Sequence, residues 1–379
     1  MKIKIIENAK VIMSNRENSF NKYFAWPSVE RLPDGRLAAV TSGFRFGHVC
    51  PFGKAVISYS SDEGKTWTKP APVIDTPLDD RDAGIKTFGD SKVIVTSFNN
   101  TLNFQKGYIN NPNTHADEAT KALINAHLDL AEKRNETEHF EEKYYGSTYV
   151  ISEDGGNTFG EVKKIPITAP HGPNTLPDGR LIYVGTRMDL TRNADDYPDT
   201  LECHISDLDG NFTYVSSIPN IKEHGPNGEI LQSHEPHVIV LPDGRILVQI
   251  RSEPYFSTYQ SESNDGGKTF SEPVRILPFG GGAPTHLMLH SSGKLIATYS
   301  YRMQPFGIKV MVSDDLGKTW CEKALSLYET ETSPDLGYPC SVELKDGNIL
   351  TVFYARSGKA GFEMGVPCEI YQTIWNIED

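Results

Sequence analysis

Five arginines stand at matching places along this chain: Arg45, Arg187, Arg251, Arg302 and Arg356 each follow a turn-type glycine by seven to ten residues. A guanidinium offers a planar fork of donors to oxygens, so repeated placement of this kind suits a pocket for carboxylates or polyhydroxylated ligands. A second set, Trp26, Asp82, His171, Glu235, His286 and Tyr338, precedes the same turns. Carboxylates, a phenol and imidazoles gathered in one place make poor core material and good carbohydrate chemistry. Singly, a strand-end arginine or a histidine is more often structural. Convergence of the two sets is what the functional reading needs.

A repeat supplies the means of convergence. A turn-prone tripeptide, then Asp-Gly or a close variant, then a β-branched run recurs six times, starting at Trp26, Asp82, His171, Glu235, Pro284 and Tyr338. Each copy reads as a short strand, a tight hairpin and a second strand such as Ile246-Leu247-Val248. Further out lie four Asp-boxes of the form Ser-x-Asp-x-Gly-x-Thr-aromatic, beginning at Ser60, Ser152, Ser263 and Ser313. Their short polar side chains can bond the turn's own backbone, so Asp62, Asp154, Asp265 and Asp315 are expected to be structural. The pattern predicts an all-β fold, a six-bladed β-propeller forming a single domain over residues 1–379. First-strand starts and second-strand ends then meet at one end of the axis. Spacing is stretched only between Asp82 and His171. There Leu123, Ile124, His127, Leu128 and Ala131 fall at helical intervals, predicting a helical insertion in blade two at about 111–140, capped by Asn113 or Thr114.

Composition narrows the partners. The net charge of −13 disfavours nucleic acid and anionic membrane surfaces, which call for a basic face. Five cysteines, an odd number without a C-x-x-C pair, read as free thiols rather than a disulfide framework or zinc site. Lys2 to Ile6 lacks a long apolar signal region, so a cytoplasmic location is expected. No phosphate loop, dinucleotide fingerprint or spaced ligand set implies a cofactor or metal.

These residues together resemble the sialidase (neuraminidase) superfamily over essentially the whole chain. The resemblance rests on the Asp-boxes, Phe24-Ala25-Trp26-Pro27-Ser28, His234-Glu235-Pro236-His237 leading to Arg251, Tyr301-Arg302, and Gly337-Tyr338-Pro339-Cys340-Ser341. It implies Tyr338 as nucleophile, Glu235 as the group that takes its proton, and Arg251 with Arg302 as two of three arginines on a sugar carboxylate. A phenol needs such a base to attack at neutral pH, and as a neutral nucleophile it avoids repulsion by the substrate's carboxylate.

Two departures stand out. The family opens with Phe/Tyr-Arg-Ile-Pro, whereas Ala25 occupies the arginine's place here. The stretch Val40 to His48 also lacks the family's acid/base Asp. Arg45 is the expected substitute for the arginine, and His48 or Asp82 the expected acid. The leading expectation is an exo-acting retaining glycoside hydrolase on sialic acid or another acidic terminal sugar. A uronate lyase using Tyr338 with His171, His234 or His286, and a non-catalytic glycan binder, are the alternatives.

Overall fold

A computed structural model describes residues 2–17, 20–188, 200–321, 323–357 and 364–378. Its repeating unit is the hairpin that the Asp-Gly pairs specify. Leu241 and Arg245 close one such turn, with the Leu241 N–H on the Arg245 carbonyl at 2.8 Å and Gly244 at a φ of 86° that side chains rarely adopt. The same closure recurs at Leu32–Arg36, Leu176–Arg180, His290–Lys294 and Leu344–Asn348.

The described strands form five hydrogen-bonded sheets. Four are separate and blade-sized. One comprises Arg81–Phe88, Lys92–Asn99, Gly146–Ser152 and Lys163–Ile165; another, Gln232–Val240, Ile246–Glu253, Ser257–Ser263 and Val274–Arg275. A third holds Thr285–Leu289, Leu295–Tyr301, Phe306–Ser313 and Leu325–Thr330. The five-stranded one is built from Ile167–Thr168, Asn174–Thr175, Leu181–Arg187, Leu201–Ser206 and Phe212–Ile218.

The fifth sheet has eight strands and corrects the expectation of six separate blades. Leu336–Glu343, Ile349–Arg356 and Cys368–Glu378 continue into Tyr23–Arg31, Leu37–Arg45, Lys54–Ser60 and Ala71–Ile74. Lys2–Met13 pairs antiparallel with Cys368–Glu378, and a single parallel pair, Tyr23 with Cys368, joins the first and last repeat units. The strand that follows Lys2–Met13 thus starts alongside the start of the last one, and their ladders run together.

Three helices, Leu102–Ile109, Glu118–Glu138 and Phe140–Tyr144, lie between Lys92–Asn99 and Gly146–Ser152. The long one starts at Asp117 rather than Asn113 or Thr114. The Asp117 carboxylate accepts both the backbone N–H (2.8 Å) and the hydroxyl (2.7 Å) of Thr120, whereas the Thr114 hydroxyl donates to the Tyr108 carbonyl. Ile124, Leu128 and Ala131 are buried against Leu78, Leu102, Ile109 and Phe140. Apolar residues of neighbouring sheets fill the gaps between them, as Val40, Ile57, Ile85 and Val95 do.

All four Asp-boxes fold onto themselves. Asp265 accepts the Thr269 N–H at 2.9 Å and the Thr269 hydroxyl at 2.7 Å, while Ser263 accepts the Gly267 N–H at 2.9 Å. Trp320, the aromatic of the last box, reaches inward to Gln260 at 3.0 Å.

Candidate active site

One irregularity recurs in four innermost strands. The ladder skips between Ala25 and Ser28, Arg81 and Gly84, His234 and His237, and Gly337 and Cys340. Two residues there oppose one, a bulge that re-aims side chains. The first bulged residues are Trp26, Asp82, Glu235 and Tyr338, all at positive φ (57°, 30°, 42° and 50°). Such left-handed backbone costs on the order of 1–3 kcal/mol per residue and concentrates at functional sites. Proline follows three of the four (Pro27, Pro236 and Pro339), where no ladder N–H is required. Beside the last bulge, Ser300 Oγ accepts the Tyr338 N–H at 2.9 Å, and a Cβ on Gly337 would overlap that hydroxyl.

The bulges bring Tyr338 and Glu235 together. The phenol donates to Glu235 Oε1 at 2.5 Å. Arg251 Nη1 donates to Glu235 Oε2 at 2.5 Å and lies 3.3 Å from the Tyr338 hydroxyl, while Nη2 engages Glu253. Burial opposes ionisation of Glu235, but Arg251 and the Tyr338 hydroxyl outweigh it and hold the carboxyl below its usual range. Burial, and then the Glu235 charge, push the Tyr338 phenol well above its usual value. The resting pair is a phenol donating to a carboxylate. That arrangement can pass the phenolic proton to Glu235 when an electrophile meets Tyr338.

Two further guanidiniums keep a donor free of partners among the described residues, and one of them, Arg302, lies 5.9 Å over the Tyr338 ring. Arg302 Nη2 donates to the Leu336 carbonyl (3.2 Å) and the Tyr354 hydroxyl (3.3 Å), and its Nη1 makes no hydrogen bond among the described residues. Arg81, absent from the expected set, lies 4.4 Å over the Trp26 ring. Its Nη2 faces His48 Nε2 at 3.3 Å, and its Nη1 likewise has no hydrogen-bond partner among the described residues. In a regular strand Arg81 and Asp82 would face opposite ways; the bulge relaxes that alternation. The only sequence signal for Arg81 was its place beside Asp82.

Because a guanidinium only donates, His48 Nε2 accepts from Arg81. The His48 proton therefore sits on Nδ1, directed at the Tyr23 hydroxyl (3.4 Å), which in turn donates to Asp335 at 3.1 Å. Burial and then Arg81 keep the imidazole neutral, far below its usual pKa. His48 meets Arg81 through Nε2 and Tyr23 through Nδ1, and neither of these contacts aims a proton at the Tyr338–Glu235 pair, in contrast to its expected place as acid. Asp82 fits better: burial, against the pull of Arg81 and with help from Glu235, raises its carboxyl to about 7.

The remaining expected residues scatter. Arg45 is wholly buried, with Nη1 2.7 Å from Asp79 and its other donors on the Gly47 and His48 carbonyls, so it does not replace the missing arginine. Arg187 is exposed and lies 3.4 Å from Glu202. Arg356 is buried and faces Asp335 at 4.0 Å, beneath Tyr354. Trp26 is buried between Arg81 and Arg45. His171 and His286 lie deeper on the axis, packed with His237 rather than with Tyr338.

A family model described as BNR repeat-like domain matches residues 133–351. Comparison with curated proteins finds no match. Among solved structures, a protein of unknown function from Dyadobacter fermentans is similar at 19% identity, a TM-score of 0.74 and 99% coverage of both chains. The intramolecular trans-sialidase from Ruminococcus gnavus is similar at 15% identity and a TM-score of 0.62, again with 99% of each chain covered. The NanB sialidase from Streptococcus pneumoniae has 16% identity and a TM-score of 0.64, over 97% of this chain and 70% of its own.

Proposed function

The chain belongs to the BNR repeat-like domain family and has a sialidase-like fold, and from that premise we propose that it is an exo-acting retaining glycoside hydrolase removing sialic acid or a related acidic sugar from glycans. Counting the eight-stranded sheet as two blades, the reading places six blades around the axis. The observation that carries it is the 2.5 Å contact between Tyr338 and Glu235, flanked by Arg251.

In the first step Tyr338 Oη attacks the anomeric carbon while Glu235 takes its proton, and the glycosidic C–O bond breaks as Asp82 protonates the departing oxygen. In the second, Asp82 takes a proton from water, which attacks the same carbon. The tyrosyl oxygen leaves and recovers its proton from Glu235. Two displacements retain the anomeric configuration. The unengaged Nη1 groups of Arg302 and Arg81 supply donors for the sugar carboxylate. Arg81, stacked on Trp26, stands in for the arginine that Ala25 replaces.

Lyase chemistry with a histidine base draws no support from the placement of His171 and His286. A panel of chromogenic glycosides, including a sialoside and a uronide, tests the proposal. Release from an acidic glycoside that disappears in Tyr338→Phe is expected. Unsaturated uronate absorbance would replace hydrolysis by elimination, and glycan binding without turnover, unaffected by Tyr338→Phe, would leave a lectin.

A further inference from the structure

Past the bulges, the innermost strands run on toward their hairpins and enclose a cavity of about 340 Å³, lined by residues such as Lys86, Met288 and Ser341. Three imidazoles from three consecutive repeat units also line it: His171, His237 and His286, with ring centres 4.4 to 5.6 Å apart. Each is anchored through Nδ1. The Leu287 N–H donates to His237 Nδ1 at 3.0 Å, the Ser341 N–H donates to His286 Nδ1 at 3.3 Å, and His171 Nδ1 lies 3.1 Å from the Ser28 hydroxyl.

A backbone amide can only donate, so Nδ1 of His237 and His286 is a lone pair and the ring proton is on Nε2. The same holds for His171 when Ser28 donates. His171 Nε2 is buried with no partner among the described residues. Burial keeps all three rings neutral. At Nε2, His237 and His286 therefore offer N–H donors rather than lone pairs beside the cavity that these rings line, and His171 does so when Ser28 donates. A metal ion would require the lone pairs that the amides already occupy, and among the described residues no group of three or more His, Cys, Asp or Glu is arranged to hold one. The carboxylates at the rim are engaged: Glu30 with Lys86 (3.1 Å) and Thr87 (2.9 Å), and Glu343 with the Ser291 N–H (2.8 Å).

We propose that His171, His237 and His286 form an axial anion site, separate from the Tyr338 pocket, whose Nε2–H groups donate to a small oxyanion of sulfate or phosphate size. An oxyanion presents only acceptors, which is what converging neutral donors can satisfy, and held there it links three repeat units at the axis.

Crystals soaked in selenate and measured at the selenium edge test this. The expected result is an anomalous peak within hydrogen-bonding reach of the three Nε2 atoms. Peaks confined to the Arg81–Arg302 pocket, or none, would overturn the proposal. In solution, sulfate titrated into His286→Leu should bind at least tenfold more weakly at this site than in the unaltered protein. Should that variant fail to fold, ¹⁵N-histidine spectra of the unaltered protein decide. Nε2–H tautomers that shift with sulfate are expected, whereas Nδ1–H tautomers, or rings that respond to zinc and not to sulfate, would sink the idea.

Discussion

Glu235 is held as an anion by its neighbours, and that makes its role measurable. Replacing it by Gln keeps the shape but removes the acceptor for the Tyr338 proton. Kcat on an acidic glycoside should fall about 10²–10⁴-fold, the usual worth of a positioned base. Asp82 gives a sharper test. As the acid it must carry a proton, and with its carboxyl at about 7 in the free protein kcat/KM should decline as pH rises through neutrality. A pH profile of Asp82→Asn should lose that limb, with the smallest rate loss on substrates whose leaving group needs no proton; persistence of the limb would assign it elsewhere. The meeting of Glu235, Tyr338, Arg251 and Arg302 in space was legible because residue type and repeat position agreed. Arg81 was not, because strand alternation hides a neighbour of Asp82 unless the bulge is known. Arg45 misled for the opposite reason: its spacing matched, but Asp79 and two carbonyls had already taken its donors.

The bulge is the element that turns a repeat into a site, and its last copy depends on Gly337. At a φ of 132°, with Ser300 in the way of any Cβ, Gly337→Ala must displace either Ser300 or Tyr338. A stability loss of about 1–3 kcal/mol with a fall in kcat is expected from thermal melts and kinetics on one preparation. The Asp-boxes should behave differently, since the hydrogen bonds of their Asp side chains stay within the turn. Asp265→Ala should lower Tm and leave kcat/KM unchanged; a change in kcat/KM would give that turn a role in the site. Hairpins and Asp-boxes were readable because Gly, Asp, Ser and Thr act within a few residues of themselves. The helix start was misplaced by several residues because Asp117 competes with Asn113 and Thr114 as a cap, and only the Thr120 contacts decide between them.

At the scale of the molecule, no local motif revealed that the first and last repeat units share one sheet. The bridge from Tyr23 to Cys368 joins positions far apart in the chain, and repeats alone do not announce where a ring is sewn. Removing residues 2–13 would uncover the edge of Cys368–Glu378. Calorimetry should show a large drop in Tm, and light scattering self-association through the bare edge. Acidity acts globally as well. Burial raises Asp80 and Asp82 to about 7, so between an unfolded value of about 3.9 and that point the folded state holds more protons. Their contribution to stability declines as pH rises from about 4 to 7, and Asp82→Asn should gain on the unaltered protein in melts across that window. Finally, Lys2 lies opposite Glu378 in the ladder of the outermost pair. A short linker between those two residues would make the polypeptide a closed loop, so that it could be reopened at an exposed turn such as Leu208-Asp209. A circular permutant cut there should refold with the pocket intact.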